Sequence, residues 1–174
     1  AQVGEGVSAV ETGDRVVSLL TNACGRCERC LSGREHRCAY GEGIGHGRDG
    51  GFAEYVALSE FSLVKVPESV DLIGAALLAC PMGVALQAIQ NVAEIRHGET
   101  TVVTGAGGGL GIHGLQMAAA LGSRVLAVTT SEDKLGQFAA LGAEEILHTE
   151  ELDFSEMVLA LTEDQGADVV IDTV

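Results

Sequence analysis

Thr101-Val102-Val103-Thr104-Gly105-Ala106-Gly107-Gly108-Gly109-Leu110-Gly111 is an apolar run that breaks into glycine. The run predicts a strand, the glycines a tight turn, and the apolar stretch from Gly109 to Leu121 a helix. A strand that turns through glycines into a helix N-terminus suits the phosphates of a dinucleotide, because bare backbone N–H groups converge there and no side chain holds the pyrophosphate away. Gly105, Gly107, Gly108, Gly109, Leu110 and Gly111 are therefore candidate cofactor-binding residues. Glycine spacing alone is a weak signal, since a literal G-x-G-x-x-G also occurs at Gly109, Gly111 and Gly114. Context strengthens it: a strand before, a helix after, and a second strand at Arg124–Val128 some twenty residues on.

Downstream the pattern repeats. A helix over Ser131–Leu141, a strand at Glu145–Leu147, a helix over Ser155–Leu161 and a strand at Asp168–Asp172 complete a βαβαβαβ series, for which a parallel sheet is expected. A carboxylate at the end of the second strand would receive a free ribose 2′-hydroxyl and repel a 2′-phosphate. Thr129 stands there instead. Thr130 and Ser131 follow as neutral donors and Lys134 offers charge, against Glu132 and Asp133, so the cofactor reading is NAD(P)(H) with a lean towards NADP(H). Ser131 could equally serve only as a helix cap. The series stops on Asp168–Val174, short of the roughly six strands of a doubly wound fold, and Ala1–Val10 reads like the middle of a sheet. The chain is expected to lack material at both ends.

Upstream lies a helical stripe, Leu72, Ala75, Ala76 and Ala79, then Val84, Ala88, Ile89 and Val92. Before it, residues 14–19 and 52–66 read as strands, separated by Gly-rich stretches such as 41–51. Between those strands stands Cys24-Gly25-Arg26-Cys27-Glu28-Arg29-Cys30 with Cys38, a C-x2-C-x2-C-x7-C series. Four thiolates at this spacing suit one tetrahedral Zn²⁺, and a site filled by four sulfurs leaves no open position, so the metal is structural. Arg26, Arg29, Arg34 and Arg37 surround what would be a doubly negative centre. Disulfides are disfavoured by a cytoplasmic reading and by the awkward bridging of neighbouring C-x2-C pairs. An iron–sulfur cluster shares the opening C-x2-C-x2-C. Its next cysteine, however, would follow after three residues and precede Pro, whereas here seven intervene and Ala39 follows.

Composition bounds the function. The 174 residues are 47% hydrophobic and 20% charged, enough apolar material for a packed interior and too little bias for disorder. Net charge is −15, and residues 132–174 hold 12 acidic residues against Lys134 alone. Polyanion binding depends on Lys and Arg displacing counterions, so neither nucleic acid nor an anionic membrane surface is an expected partner. No stretch approaches ~18 apolar residues, and the start lacks a signal peptide's pattern, which gives a soluble, cytoplasmic reading.

The four-thiol lobe, Gly50-Gly51-Phe52-Ala53-Glu54-Tyr55, Ala79-Cys80 and the glycine turn, in this order along the whole chain, resemble the zinc-containing medium-chain alcohol dehydrogenase/reductase family. The resemblance implies an α/β chain: a partial GroES-like, β-rich catalytic domain over 1–83 with its structural zinc lobe at 21–40, and a partial Rossmann dinucleotide-binding domain over 84–174. From the residues alone Cys80 ends an apolar helix, where a buried free thiol is the ordinary reading. The resemblance instead implies a ligand of a catalytic zinc facing the cleft between the domains, with a second Cys and a His expected before Ala1. Departures stand nearby: Val84 replaces a Thr found in many members, and Pro81-Met82 is an unusual pair beside a ligand. His36, His46, His97, His113 and His148 are read as surface or packing residues.

The activity implied is hydride transfer between NAD(P)(H) and a small alcohol, aldehyde or ketone, with zinc as Lewis acid and a homo-oligomer, dimer or tetramer, as the assembly. A zinc-independent enoyl- or quinone-type reductase of the same fold is the alternative, against which Cys80 argues. An inactive or binding-only zinc-stabilised fragment is the alternative of another class.

Overall fold

The computed structural model describes residues 1–151 and 153–174, and these form two compact units, Ala1–Cys80 and Pro81–Val174. In the first, β1 (Val16–Ser18) pairs antiparallel with a later strand, and β2 (Thr21–Asn22) pairs with β3 (Glu42–Gly43). Between β2 and β3 runs one helical turn, α1 (Glu28–Leu31). The partner of β1 is β4 (Leu63–Lys65). The strand expected over 52–66 is thus confined to its last residues, and Phe52 and Tyr55 are exposed. A strand needs a neighbour for its backbone groups. Here side chains take that place: Arg48 Nη2 donates to the Ala57 carbonyl at 2.6 Å, and Asn22 Oδ1 accepts the Ser59 amide at 2.7 Å.

A helical stretch follows, but not a regular one. Asp71 caps α2 (Leu72–Ala75), its Oδ2 accepting the Gly74 amide at 2.9 Å. A π-helical turn spans Leu78–Met82, α3 covers Gly83–Leu86, and a second π-helical stretch covers Gln87–Val92. Pro81 accounts for the first: lacking an N–H and crowding the preceding turn, it cannot continue a tight α-helix, and a wider turn accommodates it. Each widening rotates the buried face. Beyond the first widening Ala85 and Ile89 are buried, whereas Val84 and Val92, expected on the stripe, are exposed; before it, Ala75 is buried and Leu72, expected on the same stripe, is exposed.

The second unit is built on a parallel sheet. Its strands are β5 (Thr100–Val103), β6 (Arg124–Thr129), β7 (Glu145–His148) and β8 (Val169–Ile171), in the order β7-β6-β5-β8. Helices α4 (Gly111–Ala120), α5 (Leu135–Phe138) and α6 (Ser155–Leu161) connect them. Side chains alternate across the sheet, so Val103, Val125 and Ala127 pack with Ile89, Leu115 and Phe138, and Val102, Leu126 and Val128 pack with Leu147 and Val158. Central β5, bonded on both sides, ends at the glycine turn. The expected βαβαβαβ series is present with a parallel sheet; the strand ends differ by at most one residue, α4 and α5 are shorter than expected, and α6 has the expected bounds.

Candidate functional site

Two sites emerge, one in each unit. In the first, β2 delivers Ala23 and Cys24. The buried Ser62 hydroxyl accepts the Ala23 amide at 2.7 Å, and Gly25 turns at φ +70° where a Cβ would run into the Phe61 ring. Cys27 precedes α1, Cys30 lies within it and is buried, and Cys38 ends the 3₁₀ turn Glu35–Arg37. All four Sγ atoms lie within 4.8 Å of one another, with Cys27 to Cys30 at 3.5 Å and Cys27 to Cys38 at 3.9 Å. Four sulfurs around one zinc at bonds near 2.3 Å would stand about 3.8 Å apart, so the set fits that ion.

The thiols are not equivalent. Backbone N–H groups of Ala39 and Cys30 aimed at the Cys27 sulfur bring its pKa down to about 6, and the Arg26 N–H lowers that of Cys24. Burial pushes the Cys30 thiol up to about 12. Amide N–H groups of Cys24 and Tyr40 point at the Cys38 sulfur, each at 3.4 Å. Of the arginines expected to balance the centre, Arg29 donates to the Arg37 carbonyl at 2.9 Å and Arg34 to the Ser32 hydroxyl at 3.1 Å, so these two brace the loop. Cys80 is exposed and stands outside the four-thiol group. The buried-thiol expectation for it does not hold.

In the second unit a pocket of about 750 Å³ opens at the carboxyl ends of β5, β6, β7 and β8. Gly105, Gly107, Gly108, Thr129, Thr130, Ser131 and Lys134 line it. Gly109, Leu110 and Gly111 lie at the start of α4 and do not. Gly111 lets the turn close, since a Cβ there would overlap the carbonyl oxygen of Gly105, itself at φ +56°. Lys134 Nζ donates to the Gly107 carbonyl at 2.7 Å, and the buried Thr129 accepts the Ser131 amide on Oγ1 at 3.1 Å. Ser131 makes no side-chain cap to the 3₁₀ turn Glu132–Lys134 that replaces the start of the expected helix. Glu150, Glu151 and Asp172 also line the pocket. Sequence reasoning missed Thr104, Thr173 and these carboxylates, because nothing local marks a strand-end residue as lining a pocket assembled from four strands.

Family models match both units: an alcohol dehydrogenase GroES-like domain over residues 1–68 and a zinc-binding dehydrogenase domain over 109–174. The chain belongs to the zinc-containing medium-chain alcohol dehydrogenase/reductase family. Among its relatives in that family, an acryloyl-coenzyme A reductase of Sulfurisphaera tokodaii is 45% identical over 133 residues, 76% of this chain and 40% of the relative. A sorbitol dehydrogenase of Halalkalibacterium halodurans is 36% identical over 174 residues, 98% of this chain and 50% of that one. The crystal structure of an NAD-dependent alcohol dehydrogenase superposes with a TM-score of 0.89 at 37% identity, covering 99% of this chain and 50% of that chain. The chain thus spans about half the length of the medium-chain dehydrogenases it matches. Among the described residues no helix is long and apolar enough to cross a membrane.

Proposed function

We propose that the chain forms part of an oxidoreductase that moves a hydride between NAD(P)(H) and a small alcohol, aldehyde or ketone. The observation that carries this reading is the glycine-floored pocket at the carboxyl ends of the parallel strands, where ligands of such sheets bind. On it, residues 1–83 are the catalytic part and 84–174 the dinucleotide-binding part. The bound dinucleotide supplies the hydride carrier, and a catalytic zinc held by Cys80 with ligands from elsewhere in the intact protein supplies the Lewis acid. The chain's own residues do the rest. The amides of Gly105 and Gly107 receive the phosphates, those of Ala106 and Gly108 being engaged by the Val128 and Gly105 carbonyls at 3.0 and 2.8 Å; Thr129, Thr130 and Ser131 flank the adenosine ribose, and Cys24, Cys27, Cys30 and Cys38 hold a structural zinc that fixes their loop.

Absence of a carboxylate at Thr129 supports use of NADPH at least as good as that of NADH, and Thr129→Asp should shift preference towards NADH. A native enzyme with strong NADH preference would refute that part. The intact protein is expected in the cytoplasm, as a dimer or tetramer by light scattering. Identity of 45% to an acryloyl-coenzyme A reductase favours a second reading, reduction of an activated C=C bond without a catalytic metal. Zinc analysis of the intact gene product, run beside assays on alcohols and on an enoyl thioester, separates the two. Two zinc ions per chain, with alcohol oxidation and one zinc both lost in Cys80→Ala, support the first reading; one zinc with enoyl reduction supports the second.

A further inference from the structure

Thr104, the last residue before the glycine turn, gives every polar atom it has to one short segment. Its amide donates to the Ile171 carbonyl at 3.0 Å. Its Oγ1 donates to Asp172 Oδ1 at 2.6 Å and accepts the Thr173 amide at 3.1 Å, while its carbonyl accepts the Thr173 hydroxyl at 2.8 Å. Asp172 Oδ1 also accepts the Val174 amide at 3.3 Å. Only the first of these bonds continues the β-ladder; the other four form beyond the ends of β5 and β8. A Cβ on Gly105 would come within 2.8 Å of Thr173 Oγ1, so the turn lies directly on the segment that grips it.

Asp172 lines the same pocket as the turn. A carboxylate beside a place for phosphates is electrostatically adverse, so its place there calls for compensating contacts. Its hydrogen bonds supply the compensation: the Thr104 hydroxyl, then the Val174 amide, hold its carboxyl below the usual carboxylate range. We propose that Asp172 and Thr104 form a clasp that positions the glycine turn, so that the dinucleotide meets amides already oriented towards it. Asp172 is a positioning residue on this account. The inference rests on the dinucleotide reading above and adds residues that reading does not use.

The test uses the full protein and has two readouts. Amide hydrogen exchange across residues 105–108 is measured without ligand, and NADH and NADPH dissociation constants are measured by fluorescence titration. Asp172→Ala and Thr104→Val should each speed exchange in the turn and weaken both dinucleotides by roughly 3- to 10-fold, the size of one or two lost hydrogen bonds. The double variant should lose less than the sum of the two single losses, because both changes remove the Thr104–Asp172 bond and each removes only one further bond of its own, from the Thr173 or the Val174 amide. Asp172→Asn keeps an acceptor and Thr104→Ser keeps the hydroxyl, and both should restore exchange and affinity to within twofold of the parent. A structural role alone would lower the melting temperature in Asp172→Ala and Thr104→Val while leaving dinucleotide affinity, measured well below that temperature, unchanged. Unchanged exchange in Asp172→Ala, or faster exchange with unchanged affinity, overturns the clasp while the dinucleotide reading stands; a parent protein that binds neither dinucleotide overturns both.

Discussion

Gly111 shows how a single hydrogen in place of a methyl group shapes the nucleotide site. Since a Cβ there would overlap the Gly105 carbonyl, Gly111→Ala must push the turn away from α4. A loss of about 1–3 kcal/mol in urea unfolding is expected, the range for overpacking, together with loss of dinucleotide binding. Among the thiols, Cys27 with a pKa of about 6 is largely ionised at pH 7, whereas Cys30 at about 12 is not. Zinc takes thiolates, so uptake at pH 7 should release protons, visible as a dependence of the calorimetric heat on the buffer's ionisation enthalpy. Heat independent of buffer would contradict the four-thiolate site. Glu60 is a third case: its carboxylate accepts the amides of Ser8 and Ala9 at 2.9 and 2.7 Å, which holds its pKa below the usual range. The folded-state pKa is the lower one, so this anchoring is present above the ordinary value near 4.3 and lost as pH falls through the folded value. Limited proteolysis near pH 3 should therefore cleave within residues 1–10 faster, relative to the rest of the chain, than at pH 6.

Element by element, what the sequence revealed follows from how local its causes are. Strands β5 to β8 were legible because each is an apolar run bounded by turn residues, and α4 because its stripe includes Leu115 and Ala118, both fully buried. Leu115→Ala should cost about 2–5 kcal/mol of stability, read by denaturant unfolding. The stretch from Leu72 to Val92 misled because its period breaks at Pro81, and period arguments assume a constant turn. Residues 52–57 misled because their aromatics favour strands, yet a strand forms only where a neighbour offers backbone partners. Of the sites, the four cysteines and the glycines were visible as spacing. Thr104 with Asp172, and Ser62 beside Ala23, were not: their partners lie 68 and 39 residues away, and only the folded chain joins them.

At the scale of the whole molecule, each unit has its own source of order. The first has short strands, few large buried apolar side chains and a four-thiol centre, whereas the second has a sheet with apolar layers on both faces. Small apolar cores commonly depend on a metal for stability. A strong chelator should accordingly lower the melting of the unit Ala1–Cys80 and leave the far-ultraviolet signal and dinucleotide affinity of the unit Pro81–Val174 near their starting values. Cys27→Ser should behave like the chelator. Loss of dinucleotide binding in either experiment would mean that the thiol centre supports more than its own loop.

Sheet order also carries a sense of time. Strand β5 meets β6 across 24 residues, Thr101 to Val125, but meets β8 across 68, Thr101 to Val169. Closing the longer loop costs about 0.9 kcal/mol more chain entropy, before counting the extra ordering of α5 and α6 between them. The β5–β6 pair is thus the natural nucleus, β7 adds to it locally, and β8 joins late. Because Asp172 arrives with β8, the grip on Thr104 is among the last contacts to form and among the first to open. Weakening it should then speed unfolding and leave the refolding rate nearly unchanged, so that the nucleotide turn is the part of the sheet whose lifetime, rather than whose birth, the clasp controls.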